Sequence, residues 1–128
     1  MNREILFRGY NYQYKKWFYG SLFIQNYDND FMLSSSRTMI IDDKGYSVMV
    51  DNGTIGQYTG LKDKNGIEIY EGDIVKYEGE NTSYVVMFDP TGYWCLDGNG
   101  ARNSEMLYYE DVFKYLEIIG NIYENEVD

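Results

Sequence analysis

The residues of this chain that could do acid–base chemistry are carboxylates. Glu68, Glu71 and Asp73 lie close together in sequence, and Glu110 directly precedes Asp111. Two carboxylates that face one substrate can hydrolyse a glycosidic bond, one acting as the acid and the other as the base or nucleophile. The chain contains no histidine, and turns favour solvated carboxylates such as those of Glu68 and Glu71. We therefore predict that the protein is not an enzyme and has no catalytic residues.

The single cysteine, Cys95, lies between Trp94 and Leu96 in an apolar run. A reactive thiolate needs a neighbouring base or cation, and none is close in sequence. We therefore predict that Cys95 is a small apolar side chain of the core. One cysteine cannot form an internal disulfide.

Several aspartates at predicted turns could be imagined as calcium ligands: Asp28, Asp30, Asp42, Asp43 and Asp51. An EF-hand loop needs oxygen ligands at alternate positions, a glycine at position six and a glutamate at position twelve. The segment that begins at Asp28 lacks the third ligand and the glycine. We predict that these aspartates stabilise turns and that the protein binds no metal and no cofactor.

The elements that would position these residues are centred on residues 57–77. Asn65 and Gly66 predict a tight two-residue hairpin turn, because both residue types tolerate the positive φ that such a turn needs. A second turn at Glu71 and Gly72 leads into a strand that carries Val75 into the core. This stretch contains structural signals and no visible chemistry.

Apolar patterns predict further strands at residues 4–10, 16–24, 39–41, 46–50, 84–88, 93–96 and 116–123. Gly20, in the middle of the second strand, predicts a bulge or a close approach of another backbone segment. Residues 26–37 have no clean periodicity and are predicted to form an exposed loop. Residues 104–115 are the best helix candidate, with Ser104 as the N-cap.

These elements predict a mostly β protein with minor α content. The strand order of residues 57–128, with one short helix before the last strand, is typical of a small SH3-like, partly open β-barrel. Residues 1–56 are predicted to add N-terminal β-hairpins. The length of 128 residues fits a single domain made of these two regions.

Three segments of the chain resemble the YopX family. Residues 57–75 are similar to its central block, residues 118–125 to its C-terminal block, and residues 3–10 to its N-terminal strand. The family usually has a proline where this chain has Glu126, a difference that affects only the tail. The resemblance implies a small, mostly β protein that is encoded by phages and prophages and can self-associate. It implies no catalytic residues.

The net charge of −10 is unevenly distributed. Up to Lys64 the chain has 8 Lys and Arg and 7 Asp and Glu, whereas from Asn65 onward it has 3 and 14. If the two halves occupy separate regions, the half from Asn65 onward has a strongly acidic surface. That surface either maintains solubility or docks on a basic partner. Direct binding of duplex nucleic acid is not expected, because phosphate contacts need clustered Lys and Arg.

The sequence also predicts a cytoplasmic protein of the bacterial host with no membrane partner. Its N-terminus enters a strand pattern without the apolar core of a signal peptide, and no apolar run reaches the length of a membrane span.

The leading functional hypothesis is a phage or prophage accessory protein that binds a host or phage protein through a tyrosine-rich surface. The candidate interaction residues, which could equally belong to the core, are Tyr12, Tyr14, Trp17 and Tyr19. One alternative is a self-assembling structural protein, because open sheet edges pair readily. Another is an acidic nucleic-acid mimic that occupies a basic host protein. A base-stacking platform for single strands beside Arg8, Lys15 and Lys16 is less favoured than a packed hairpin.

Overall fold

The computed structural model describes the backbone of residues 6–27, 35–88, 94–98, 101–106 and 109–124, and the side chains of residues 6–25, 37–87 and 112–124. The described elements are β-strands and two short 3₁₀ helices, so the prediction of a mostly β protein with minor helix is confirmed. The chain divides into two compact units, Met1–Gln57 and Tyr58–Asp128.

The first unit is an antiparallel meander followed by a returning strand. Its elements are β1 (Phe7–Asn11), β2 (Lys16–Tyr27), β3 (Ser35–Ile41), β4 (Ser47–Met49), a 3₁₀ helix η1 (Asn52–Thr54) and the start of β5 (Gly56–Lys62). In the meander β1 pairs with β2, β2 with β3, and β3 with β4. Gly56 and Gln57 of β5 then pair with β1. The strand order is therefore β4-β3-β2-β1-β5.

The second unit contains a short hairpin and a second meander. The rest of β5 pairs with β6 (Glu68–Tyr70). The meander comprises β7 (Asp73–Tyr77), β8 (Ser83–Phe88), β9 (Trp94–Gly98) and β10 (Ala101–Met106), and is followed by a 3₁₀ helix η2 (Tyr109–Tyr115) and β11 (Leu116–Asn121). Because β11 returns to pair with β7, the order is β10-β9-β8-β7-β11.

The two units thus share one topology: a four-stranded meander, a 3₁₀ helix, and a fifth strand paired with the first. The partly open barrel predicted for residues 57–128 is an open five-stranded antiparallel sheet in the structure. Residues 101–106, predicted to belong to an insertion with one helix, form the additional strand β10, and β5 does not belong to this sheet. Neither sheet closes into a barrel within the described residues, since β4 pairs only with β3 and β10 only with β9.

The predictions for residues 104–115 and 26–37 were wrong in part. Residues 104–106 belong to β10, and the helix is a 3₁₀ helix that begins at Tyr109, so Ser104 lies in a strand. Residues 26–37 were predicted to be a loop, but β2 extends to Tyr27 and pairs there with Ser35 at the start of β3. Pairing with a neighbouring strand stabilised these segments, and single-chain periodicity does not reveal such pairing. Residues 28–34 lie outside the described part.

Each unit has a small buried core. In the first unit the buried apolar side chains include Tyr10, Ile40 and Val50. The second has a cluster formed by Ile69, Val75, Val86 and Leu116. Burial of one such aliphatic side chain stabilises a fold by about 1.5–3 kcal/mol.

Two glycines allow backbone segments of the first unit to approach closely. A Cβ atom at Gly20 would lie 2.0 Å from the carbonyl oxygen of Ile41, which confirms the predicted close approach. A Cβ atom at Gly9 would lie 2.6 Å from the Cβ of Val50. Any larger side chain at either position must displace its neighbour.

The hairpin turns at Asp42 and Asp63 have the same hydrogen bonds. In each, the aspartate N–H donates to the carbonyl oxygen four residues later, and the glycine N–H donates to the aspartate carbonyl oxygen. Gly66 has φ +80°, whereas Asn65 does not take positive φ. The predicted two-residue turn is therefore wrong: the loop is longer, and only its glycine occupies the left-handed region.

Candidate functional site

A cleft of about 420 Å³ lies in the first unit, within the size range of ligand pockets. We call it the aromatic cleft. Its lining residues come from the β1–β2 loop, from β2, β3 and β4, and from the β3–β4 turn: Tyr14, Lys16, Phe18, Tyr19, Ile40, Asp42, Tyr46, Ser47 and Val48.

The floor of the aromatic cleft is apolar because of strand register. Ile40 of β3 pairs directly with Val48 of β4, so their side chains share a face of the sheet. Ile40 is almost fully buried and Val48 is half-buried. Phe18 extends this surface from β2, and water in the cleft therefore contacts mainly hydrocarbon.

The rim of the cleft consists largely of exposed tyrosines. Tyr14 is 65% exposed, Tyr19 is 50% exposed and Tyr46 is 73% exposed. Exposed aromatic surface that surrounds an apolar recess is typical of a binding site, and tyrosine is enriched among the residues that dominate protein interfaces.

One cation lies within this aromatic surface. The Nζ atom of Lys16 is 5.7 Å from the centroid of the Phe18 ring, a distance at which an ammonium is attracted to an aromatic face. The Tyr14 ring packs edge-on against Phe18, with 6.2 Å between the centroids. The three side chains thus form one continuous wall with a positive charge.

Asp42 shapes the opposite side of the cleft. Its Oδ1 atom accepts hydrogen bonds from the backbone N–H groups of Lys44 and Tyr46, both at 2.9 Å. These bonds hold the β3–β4 turn and so position Tyr46. The Asp42 carboxylate is directed toward its own turn.

Asn11 links the two hairpins that form the cleft. Its buried side chain donates from Nδ2 to the carbonyl oxygen of Met49 at 2.7 Å and accepts at Oδ1 from the N–H of Tyr14 at 2.8 Å. The loop then passes through Lys15, which has φ 54°, a value uncommon for a non-glycine residue. Asn11 therefore determines where Tyr14 enters the cleft.

The four predicted interaction residues have different environments. Tyr14 and Tyr19 line the aromatic cleft. Tyr12 is 46% exposed but borders a separate, more polar depression, and its ring packs against Tyr10. Trp17 is half-buried, 5.3 Å from the Tyr10 ring centroid and 4.9 Å from Cζ of Arg8. Whether any of the four binds a partner stays a prediction.

Phe18 and Tyr46 were missed as candidate residues. Phe18 lies two positions after Lys16 in β2, so the sequence alone places the two side chains on the same face of that strand. Tyr46 follows a turn in another hairpin, and only the pairing of β2, β3 and β4 places the two near one recess.

Of the carboxylates considered for catalysis, Asp73 has a structural role. Asp73 is buried, and its Oδ2 atom accepts from the N–H of Tyr70 at 2.7 Å, which holds the turn at Glu71 and Gly72. The side chains of Glu110, Asp111 and Cys95 lie outside the described residues. In the described part of the chain, no three His, Cys, Asp or Glu side chains cluster closely enough to hold a metal ion.

No helix in the part of the chain that the structure describes has the length and apolar character required to cross a bilayer.

The fold and this recess define a small, mostly β protein with two meanders and an open aromatic cleft. A family model described as YopX protein matches residues 6–127, and the chain belongs to this family. The predicted resemblance is thereby confirmed. Among solved structures, the crystal structure of protein EF1440 from Enterococcus faecalis is similar, with 22% sequence identity and a TM-score of 0.54. The match covers 98% of this chain and 97% of that chain, and it shows the fold alone. No curated protein is similar enough in sequence to count as a relative.

Proposed function

We propose that this protein is a non-enzymatic binding module that docks on a host or phage protein through the aromatic cleft of its first unit. The observation that carries the proposal is the exposure of Tyr14, Tyr19 and Tyr46 around a buried apolar floor. We place this activity in the cytoplasm of a bacterial host, in line with the phage and prophage origin that the family resemblance implies.

A protein partner suits this surface better than a nucleic acid does. Tyrosine provides a large, rigid contact area and a hydroxyl that can pair at the rim of an interface. The first unit has six Lys and Arg and six Asp and Glu, and the second has five and fifteen. Neither unit therefore carries a net positive charge. A nucleic acid binds through its phosphates and requires such a charge.

The proposal can be tested by affinity capture of partners from host lysate with the tagged full chain. The test variant combines Tyr14→Ala with Tyr46→Ala. The matched control is Tyr115→Ala, because Tyr115 is also 65% exposed but belongs to the second unit. We expect a partner that wild type and the control retain and the double variant loses. Equal retention by all three proteins would contradict docking at the cleft.

The acidic charge of the second unit supports a different candidate, a nucleic-acid mimic that occupies a basic host protein. Captured proteins would then be basic, would dissociate at high salt, and would be retained by the Tyr14→Ala, Tyr46→Ala variant. Recovery of this chain alone at both salt concentrations would instead favour self-assembly.

A further inference from the structure

We infer that the aromatic cleft binds an extended acidic peptide segment in which an apolar side chain lies next to a carboxylate. The apolar side chain would occupy the floor, and the carboxylate would pair with Lys16. This inference rests on the proposed function and specifies the chemistry of the partner.

The apolar requirement follows from what the cleft exposes. The half-buried side chains of Val48 and Phe18 offer hydrocarbon to a ligand, and the almost fully buried Ile40 completes the floor. A polar side chain in this position would lose its water without gaining a partner, which is costly. An aliphatic or aromatic side chain would gain the contacts that water cannot make.

The acidic requirement follows from the charges around the cleft. Within the described residues, no carboxylate lies within ion-pair distance of the ammonium groups of Lys15, Lys16 or Lys44. The opposing charges are Asp42, whose Oδ1 already accepts two backbone N–H groups, and the exposed Asp43. The charged residues in the lining are thus Lys16 and Asp42; the Asp42 carboxylate is held by its own turn, whereas the Lys16 ammonium is available to a carboxylate of the ligand.

Lys16 is the cation best placed to receive a carboxylate. Its ammonium lies near the Phe18 ring, inside the lining of the cleft, where a bound apolar group would exclude water. Exclusion of water strengthens an ion pair by lowering the local dielectric constant. A basic segment in the same position would bring a like charge to Lys16 and would be rejected.

Three synthetic peptides test this inference by titration into the ¹⁵N-labelled full chain, followed by NMR. The first has the sequence Gly-Asp-Phe-Asp-Leu-Asp-Gly. The second has Asn in place of each Asp, and the third has Ser in place of Phe and Leu. We expect the first to shift the amide signals of Phe18, Ile40 and Val48, and the other two to bind about tenfold more weakly or not at all.

Lys16→Ala should weaken binding of the acidic peptide about five- to tenfold and leave binding of the Asn peptide unchanged. Lys62→Ala is the matched control, because Lys62 is an exposed lysine of the second unit. Higher salt should weaken binding of the acidic peptide to wild type more than to Lys16→Ala. The amide spectrum of each variant reports whether it remains folded.

Equal binding of the acidic and Asn peptides, or no binding of the acidic peptide, would overturn the inference. If capture of a partner still depended on Tyr14 and Tyr46, the proposed function would stand with a partner of different chemistry. If capture also failed, the proposed function would fall. A dimer in light scattering that dissociates in the Tyr14→Ala, Tyr46→Ala variant would assign the cleft to a second copy and overturn the inference.

Discussion

The carboxylate of Asp63 accepts a hydrogen bond from the backbone N–H of Ile118 at 3.1 Å, although the two residues are 55 positions apart in the chain. The other oxygen of the same carboxylate accepts from the N–H groups of Asn65 and Ile67. The N–H of Lys64 also donates to the carbonyl oxygen of Leu116. One buried aspartate therefore both forms the β5–β6 turn and ties that turn to the last strand.

We predict that Asp63→Ala lowers the free energy of unfolding by about 3 kcal/mol, because it removes three hydrogen bonds to a charged acceptor in a buried position. Asp42→Ala is the matched control, since Asp42 forms the same turn without the bond to a distant strand. We expect it to cost about 1 kcal/mol, because water can replace its exposed bonds. Urea denaturation measures both, and equal losses would show that the bond to Ile118 contributes nothing.

The close approach of Gly9 and Val50 leads to a prediction of coupling. Gly9→Ala should cost about 2 kcal/mol, because the new methyl group overlaps the Val50 side chain. Val50→Ala alone should also cost about 2 kcal/mol through the cavity that it leaves. In the double variant the overlaps with Cγ1 and Cγ2 of Val50 are gone and only the overlap with Cβ remains, so the loss should be smaller than the sum by about 1 kcal/mol. Strict additivity in thermal or urea unfolding would exclude this contact.

Thr54 provides a test of a buried hydroxyl. Its Oγ1 atom accepts from the N–H of Tyr10 at 2.9 Å and donates to the carbonyl oxygen of Asp51 at 2.7 Å. Thr54→Val keeps the shape but leaves the N–H of Tyr10 without this acceptor, whereas the Asp51 carbonyl oxygen still accepts from the N–H of Thr54. We therefore expect a loss of about 2 kcal/mol. Thr54→Ser keeps the hydroxyl and should lose about 1 kcal/mol for one buried methyl group. A larger loss for serine than for valine would argue against these bonds.

Gly20→Ala should be more damaging than any substitution at an exposed turn glycine. The new Cβ atom would meet the carbonyl oxygen of Ile41, a backbone atom that cannot rotate away. We expect a loss of more than about 3 kcal/mol, or failure of the first unit to fold. Gly45→Ala is the control, because a Cβ atom added at Gly45 would meet nothing within 4 Å. Only the backbone φ of +89° disfavours alanine there. This control should cost about 1 kcal/mol, and circular dichroism melts compare the two.

The sequence alone was sufficient to predict the fold class, most strands and the family. Apolar runs and turn residues are local signals, and the signals around Ile69, Gly72 and Val75 agree with one another. At Gly20 the sequence predicted a bulge or a close backbone approach, and the structure shows the close approach.

Only the tertiary structure decided how far β2 extends, which segment before the last strand is helical, and that the φ of Asn65 is not positive. In each case hydrogen bonds from a neighbouring strand or turn outweighed the local preference of the chain.

The aromatic cleft also arises only in three dimensions. Tyr14 and Tyr46 belong to different hairpins, and the pairing of β2, β3 and β4, with the side chain of Asn11 between the hairpins, brings them to one recess. Sequence could name the tyrosines as candidates. It could not separate exposed Tyr14 and Tyr19 from half-buried Trp17, because burial depends on the strands that pack around each ring.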